Sequence, residues 1–179
     1  MTSGRRQISL EQWVIHPFDQ WEKQWMVLAA GSFKEAHYNA MTVAWGSFGV
    51  MWGKPFAMVV VRPTRYTFAF LEKHQDFTLG IFAESYRPAL QLLGSKSGRA
   101  GNKIAETGLT PVASLHVAAP GFAEAALTVE CRKMYRQDMD PAGFIDPAIE
   151  KNYAQHDYHR MYFGEILAVT ERMEGKKKI

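Results

Sequence analysis

The chain has 179 residues, of which 47% are hydrophobic and 22% are charged, and its formal net charge is +3. This composition is typical of a globular chain and excludes a disordered one, so we predict a single domain over residues 1–179. Lys176, Lys177 and Lys178 supply much of the charge, which therefore does not point to nucleic acid as a partner. The single cysteine, Cys131, excludes an intrachain disulfide and a cysteine-based zinc site.

The predicted location is cytoplasmic, with no membrane partner. The longest unbroken apolar run near the middle of the chain, Phe56 to Val61, is far shorter than the roughly 20 residues needed to cross a bilayer. The first residues, Met1 to Arg6, are polar and do not lead into the long apolar segment of a secretory signal. The lone cysteine also fits a reducing compartment.

Alternating or β-branched apolar residues predict strands, and apolar residues three or four apart predict helices. We predict an irregular arm over residues 1–24, a polar connection over 33–38, a break over 49–55 and an acidic excursion over 140–157. The predicted strands are Trp25–Ala30, Met41–Ser47, Phe56–Val61, Asp76–Phe82, Val112–Val117, Ala125–Tyr135 and Met161–Val169. The predicted helices are Thr64–His74, Arg87–Leu93 and Asn102–Thr107.

The order of these elements predicts a mainly β fold. Strands and helices do not alternate as they would in a doubly wound sheet of repeated βαβ units. A mainly antiparallel β-barrel with inserted helices accounts for the order, and closure of the sheet would protect the strand edges.

Two segments contain enough donors to hold a phosphate group. The loop Gly94 to Gly101 reads GSKSGRAG, with Lys103 just beyond it. It is not a P-loop, because Lys96 precedes the second glycine and a helix precedes the loop. A phosphate site and a solvated turn with incidental charge both remain open here.

The second segment is the start of the predicted helix after Pro63, where Arg65 and Thr67 stand in the first turn. Unpaired backbone donors and the helix dipole favour an anion at such a position. An exposed arginine and a threonine in the first turn are also common without any ligand, so both interpretations stay open.

Other chemistries receive less support. His156 and His159 are three residues apart, but no third or fourth metal ligand is indicated, and we predict no metal site. The sequence Gly46-Ser47-Phe48-Gly49 is one residue short of a nucleophile elbow. Aromatic residues in this region would suit either the core or the face of a planar cofactor, and they are Trp45, Phe48, Trp52 and Tyr66.

The motifs NAMTVAWG, VRPTRYT, GSKSGRAGNKIAETGLTP, ECRKMY and DYHRMYFGEI occur in this order along the chain. Together they resemble the flavin reductase-like family with the FMN-binding split barrel, which includes the flavoredoxins. The similarity covers the chain from about Trp25 to Val169. Ala44 stands where the family often has serine, and Asn102 where aspartate is common.

The resemblance implies a six-stranded Greek-key split barrel that dimerises and holds FMN at the subunit interface. It also implies which residues bind FMN. Contacts to the isoalloxazine and ribityl groups would come from Asn39, Met41, Thr42 and Trp45. Contacts to the phosphate would come from Arg65, Thr67, Ser97 and Lys103, and His159 matches a family position near the flavin.

Three functions remain open at this point. The first is an oxidoreductase that passes a hydride from NAD(P)H to flavin and electrons onward to an acceptor. The second is a flavoredoxin-type FMN electron carrier reduced by a protein partner, and the third is a split-barrel binding module without a redox role. No catalytic residue is assigned, since hydride transfer between the cofactors requires no protein acid or base.

Overall fold

The computed structural model, which describes residues 4–173, is built around one antiparallel sheet of eight strands. These strands are β1 (Arg5–Ile8), β2 (Met26–Ser32), β3 (His37–Val43), β4 (Gly46–Met51), β5 (Lys54–Val61), β6 (Asp76–Ile81), β9 (Leu127–Asp138) and β10 (Arg160–Arg172). The short strands β7 (Pro111–Val112) and β8 (Gly121–Phe122) form a separate pair. Besides short 3₁₀ helices, the described residues form a π-helix at Asp19–Gln24 and three α-helices, α1 (Tyr66–Lys73), α2 (Arg87–Ser95) and α3 (Lys103–Glu106).

The sheet is an open barrel, split between two strands that follow one another in the chain. Its strand order is β3-β2-β6-β9-β10-β5-β4, with β1 paired to the far end of β10. The end strands β3 and β4 are joined by Ala44 and Trp45 and are not hydrogen-bonded to each other. Among the strands of residues 4–173, the split therefore leaves one edge of β3 without a neighbour.

Buried apolar residues pack against both faces of the sheet. The barrel interior contains Met26, Leu28, Met41, Phe77 and Tyr162, together with residues of α1. A second buried cluster lies between the other face of the sheet and the segment from α2 to β8. All seven residues of β2 are buried because this strand is covered on both faces. The core thus fixes α1 and α2 against β3 at the split edge.

The fold class is confirmed, and many predicted elements are found close to their predicted positions. The helix predicted over 64–74 is α1, and the strand predicted over 76–82 is β6. The strands predicted over 125–135 and 161–169 are the longer β9 and β10. The sheet has two strands more than the six that the resemblance implies.

The prediction of one strand from Met41 to Ser47 was wrong. The chain turns at Ala44 and Trp45, and β4 begins at Gly46. A side chain at position 46 would meet the ring of Trp21 at 2.4 Å, so glycine allows this corner to pack closely. The predicted break over 49–55 is limited to a hairpin turn at Trp52 and Gly53, since residues 49–51 belong to β4 and residues 54–55 to β5. Trp52 and Gly53 both have positive φ, which is the requirement of a two-residue turn of type I′.

Three further segments differ from the prediction. The N-terminal arm, predicted to be irregular, contains β1 and the π-helix, because β1 gains hydrogen bonds from the end of β10. The strand predicted over 112–117 was wrong except at Val112, which ends β7. The predicted connection over 33–38 already contains the first two residues of β3. Within residues 4–173, none of the helices has both the length and the apolar character that a bilayer crossing requires.

Candidate functional site

The four predicted phosphate ligands line one cavity of about 230 Å³, which we call the α1 pocket. Arg65 and Thr67 come from the start of α1, whereas Ser97 and Lys103 come from the region after α2. The other lining residues are Thr64, Tyr66, Ser95, Lys96 and Gly98. The tertiary structure therefore brings together two donor-rich segments that lie apart in the sequence.

Arg65 lies immediately before the first turn of α1. No side chain caps this end of the helix, so its backbone N–H groups and the positive end of its dipole are directed toward the α1 pocket. The guanidinium group donates a 2.6 Å hydrogen bond to the carbonyl oxygen of Gly94, which fixes the side chain and leaves further donors. Burial, followed by the nearby charge of Arg62, lowers the pKa of Arg65.

Lys103 is a buried lysine, with only 2% of its surface exposed. Its ammonium group donates to the carbonyl oxygens of Leu93, at 2.7 Å, and Lys96, at 2.9 Å. An ammonium group has three donors, so one remains for a ligand. Burial and then the charge of Arg65 lower the pKa of Lys103 to about 8. An anion in the α1 pocket would counteract both effects on this pKa, because its charge favours the ammonium form.

The α1 pocket carries excess positive charge. Within residues 4–173, neither Arg65 nor Lys103 forms an ion pair with a carboxylate, and the charge that acts on the pKa of Lys103 is that of Arg65. Lys96 differs, because its ammonium group binds both carboxylate oxygens of Glu106 at 2.7 Å. Two partly desolvated cations together are costly without a counter-charge. This arrangement is typical of an anion-binding site.

Asn39 connects the split edge of the barrel to the α1 pocket. Its side-chain amide donates a 2.7 Å hydrogen bond to the hydroxyl of Thr67, and both residues are buried. On the other side, a Cβ atom at Gly98 would lie 2.5 Å from the side-chain Oδ1 of Asn39 and 2.7 Å from the ring of Tyr66. Glycine at position 98 thus lets the loop close over the pocket.

Met41 and Thr42 occupy opposite faces of β3. Met41 is buried in the barrel interior. Thr42 donates a hydrogen bond from its hydroxyl to the carbonyl oxygen of Leu90 in α2. The side chains of these two predicted flavin ligands are thus used for packing, and their backbone belongs to the edge strand of the split.

Trp45 and His159 form a second part of the site at the corner between β3 and β4. Trp45 is 49% exposed, and its ring centroid is 5.2 Å from that of His159. His159 is buried, and its Nδ1 shares a 2.9 Å hydrogen bond with the hydroxyl of Tyr153. Burial and then Arg62 lower the pKa of His159 to about 4, so the imidazole is neutral at pH 7.

The excursion between β9 and β10 supports His159. Arg62, at the end of β5, binds both carboxylate oxygens of Asp157 at 2.9 Å and stacks over the ring of Tyr153 at 5.1 Å. The sequence identified this excursion only as acidic and missed Arg62, Tyr153 and Asp157 as supporting residues. Their contacts join segments about 90 residues apart, and no local pattern indicates such pairings.

Comparison with known proteins identifies the family. The model of the flavin reductase like domain matches residues 23–178, and the chain therefore belongs to this family. No match was found among curated protein sequences.

Solved structures share the fold at low sequence identity. The FMN-binding domain of a flavin reductases-like enzyme from Shewanella baltica OS155 is 16% identical, with a TM-score of 0.67, and covers 96% of this chain and 79% of its own. The flavoredoxin of Desulfovibrio vulgaris (Miyazaki F) is 21% identical, with a TM-score of 0.64 and coverages of 92% and 75%. An NADH:FAD oxidoreductase from Streptomyces globisporus is 15% identical, with a TM-score of 0.61 and coverages of 83% and 75%. These similarities confirm the predicted split-barrel fold.

Proposed function

We propose that this chain binds FMN and acts as an oxidoreductase, with NAD(P)H as the electron donor and an acceptor that receives the electrons. The observation that carries the proposal is the α1 pocket, where Arg65 and Lys103 lie together without a carboxylate partner among the described residues. The terminal phosphate of FMN is a small dianion that suits two cations, two hydroxyl groups and a helix N-terminus.

The remaining site residues fit the rest of the same ligand. Residues 39–45 lead from the α1 pocket to Trp45 and His159, and an extended chain of this length spans about 20 Å. The edge of β3 that faces the split offers backbone groups to the polar side of a planar ring. In this proposal the backbone of Asn39, Met41 and Thr42 contacts the ribityl chain and the ring. The side chains of Trp45 and His159 border the ring.

When bound, FMN supplies a ring that accepts a hydride from reduced nicotinamide. The residues of the chain bind and orient it. Arg65 and Lys103 neutralise the phosphate, while Thr67 and Ser97 donate hydrogen bonds to it. Trp45 excludes water from one side of the ring, and the neutral imidazole of His159 offers Nε2 as a hydrogen-bonding group there. No protein acid or base is needed for the transfer itself.

We also propose that the chain forms a homodimer. Support comes from large apolar side chains exposed around the β4–β5 hairpin, since Val50 is 75% exposed and Trp52 is 62% exposed. Light scattering after size-exclusion chromatography should give the mass of a dimer, and Trp52→Glu should shift the population toward monomer. A wild-type protein that is monomeric at micromolar concentration would contradict this proposal.

The cytoplasmic location stays a prediction.

The function is tested by FMN titration and then by reduction. Purified protein should bind FMN with quenching of flavin fluorescence, and NADH or NADPH added without air should bleach the flavin absorbance. The related flavoredoxins support an alternative in which a redox protein supplies the electrons. In that case reduced ferredoxin would bleach the flavin, while NADH and NADPH would not. A protein that fails to retain FMN would favour a binding module without a redox role.

A further inference from the structure

We propose that a second cavity, outside the α1 pocket, binds a planar and uncharged aromatic molecule. It lies between the N-terminal π-helix and the corner of β3 and β4, and its volume is about 480 Å³. We call it the aromatic cavity. The lining residues that define its character are Phe18, Trp21, Trp25, Trp45, Phe48 and Glu22. Its volume and lining are those of a small-molecule site.

The floor of the aromatic cavity is held rigidly by aromatic packing. The ring of Phe48 lies between Trp13, at 5.1 Å between centroids, and Trp21, at 5.3 Å. Trp21 is only 6% exposed, and it approaches the backbone of β4 closely because residue 46 is glycine. A ligand would thus meet a preformed apolar surface, which reduces the entropy lost on binding.

The backbone at Trp25 is strained, and this strain places an indole ring on the wall of the aromatic cavity. Trp25 has φ of 62° and ψ of 169°, a conformation that residues other than glycine rarely adopt. Gln20 donates a 3.1 Å hydrogen bond to the Trp25 carbonyl oxygen, and the Trp25 indole N–H donates to the carbonyl oxygen of Glu22 at 3.1 Å. The guanidinium of Arg87 lies 4.0 Å over the indole ring. Strain maintained by several contacts is characteristic of functional sites.

The charge of the lining determines which aromatic molecules fit. Among the described residues that line the aromatic cavity, Glu22 is the one with a formal charge, and it is acidic. An anionic ligand would be repelled by this carboxylate, and none of the described lining residues is a cation, because Arg87 lies over the indole of Trp25 and outside the lining. The hydroxyl of Ser47 offers a hydrogen bond to a carbonyl or amide substituent. The site therefore suits neutral aromatic carbonyl compounds.

Trp45 lines the aromatic cavity and also contacts His159 in the proposed flavin site. A molecule bound in the aromatic cavity would therefore lie beside the flavin ring, which is where an electron acceptor is needed. The role as an electron acceptor rests on the proposed function, whereas binding of an aromatic molecule in the aromatic cavity does not.

The test uses the matched probes 2-naphthamide, which is neutral, and 2-naphthoate, which is anionic, with the FMN-loaded protein in equilibrium dialysis. Ser47→Phe should fill the aromatic cavity and weaken 2-naphthamide binding at least tenfold. Ser85→Phe makes the same substitution at an exposed position outside the cavity lining, and it should have no effect. Glu22→Gln should strengthen binding of 2-naphthoate about threefold and leave 2-naphthamide unchanged.

Equal 2-naphthamide affinity in Ser47→Phe and the wild type would overturn the proposal. So would an absence of 2-naphthamide binding to the wild type, which is expected if a second copy of the chain covers the cavity. Should Ser47→Phe fail to fold, as judged by circular dichroism, Phe18→Ala replaces it, because Phe18 is 86% exposed and its loss should weaken binding several-fold without unfolding. If 2-naphthamide binds and FMN does not, the proposed function fails and this inference stands.

Discussion

The side-chain amide of Asn39 donates a 2.7 Å hydrogen bond to the hydroxyl oxygen of Thr67, and both groups are buried. The bond connects the split edge of the barrel to the first turn of α1. It therefore fixes the α1 pocket relative to β3, along which the flavin ring would lie.

Thr67→Val keeps the shape of the side chain and removes the acceptor. The Asn39 amide would then lack its partner in a buried position, and we expect a loss of about 1 to 3 kcal/mol in the free energy of unfolding. Thr67→Ser retains the hydroxyl, so its loss in the free energy of unfolding should be smaller. Urea unfolding of the FMN-free proteins measures both changes, and equal stabilities of the valine and serine variants would contradict the importance of the bond.

Loss of either cation of the α1 pocket should weaken FMN binding. A hydrogen bond to a charged group contributes about 1.5 to 3 kcal/mol, so Arg65→Ala and Lys103→Met should each raise the dissociation constant about 10-fold to 150-fold. Lys73→Met removes a positive charge at the opposite end of α1 and serves as control. Fluorescence titration measures all three. If neither pocket variant weakens FMN binding, the phosphate assignment is wrong.

The pKa of Lys103 predicts that rising pH has opposite effects on FMN affinity and on the stability of the ligand-free fold. In the ligand-free protein this pKa is about 8, below the ordinary 10.5. FMN affinity should fall as pH rises above 8, because the ammonium group loses its charge. The unfolded chain holds this proton up to higher pH, so the free energy of unfolding without ligand should rise between about 8 and 10.5. Both trends should be smaller in Lys103→Met. If the variant and the wild type showed the same dependence of FMN affinity and unfolding free energy on pH, this prediction would be wrong.

The pKa of His159 predicts that the free energy of unfolding depends on pH in the acidic range. Its pKa is about 4 in the folded protein and 6.5 ordinarily, so the unfolded state binds more protons in between. The stability that comes from the neutral imidazole is complete above pH 6.5 and is lost as pH falls toward 4. Denaturant unfolding of His159→Gln should show a shallower loss over this range than the wild type. His16→Gln, at an exposed position, should retain the wild-type profile.

Gly98→Ala tests the closure of the loop over the α1 pocket. The added Cβ would lie 2.5 Å from the side-chain Oδ1 of Asn39, and overpacking of this kind costs about 1 to 3 kcal/mol. We expect weaker FMN binding, since the loop that bears Ser97 must move. Gly143→Ala is the matched control, because nothing lies within 4 Å of its added Cβ. Titration should separate the two variants, and unchanged binding in Gly98→Ala would show that the loop adjusts without cost.

The sequence by itself determined the fold class and the identity of the two donor-rich segments. Apolar periodicity located α1 and β6, because burial requires such a pattern within each element. The corner at Trp45 was missed because it depends on packing of Trp21 against Gly46. The hairpin turn at Trp52 was predicted only as a longer break, because it lacks the usual asparagine before its glycine.

Only the tertiary structure decided which groups act together. It placed Arg65 beside Lys103, joined Asn39 to Thr67 and supported His159 with Tyr153 and Arg62. It also formed the aromatic cavity from the N-terminal arm and the β3–β4 corner. Local sequence patterns report the preferences of neighbouring residues, whereas a site is made by contacts between distant segments that only the folded core brings together.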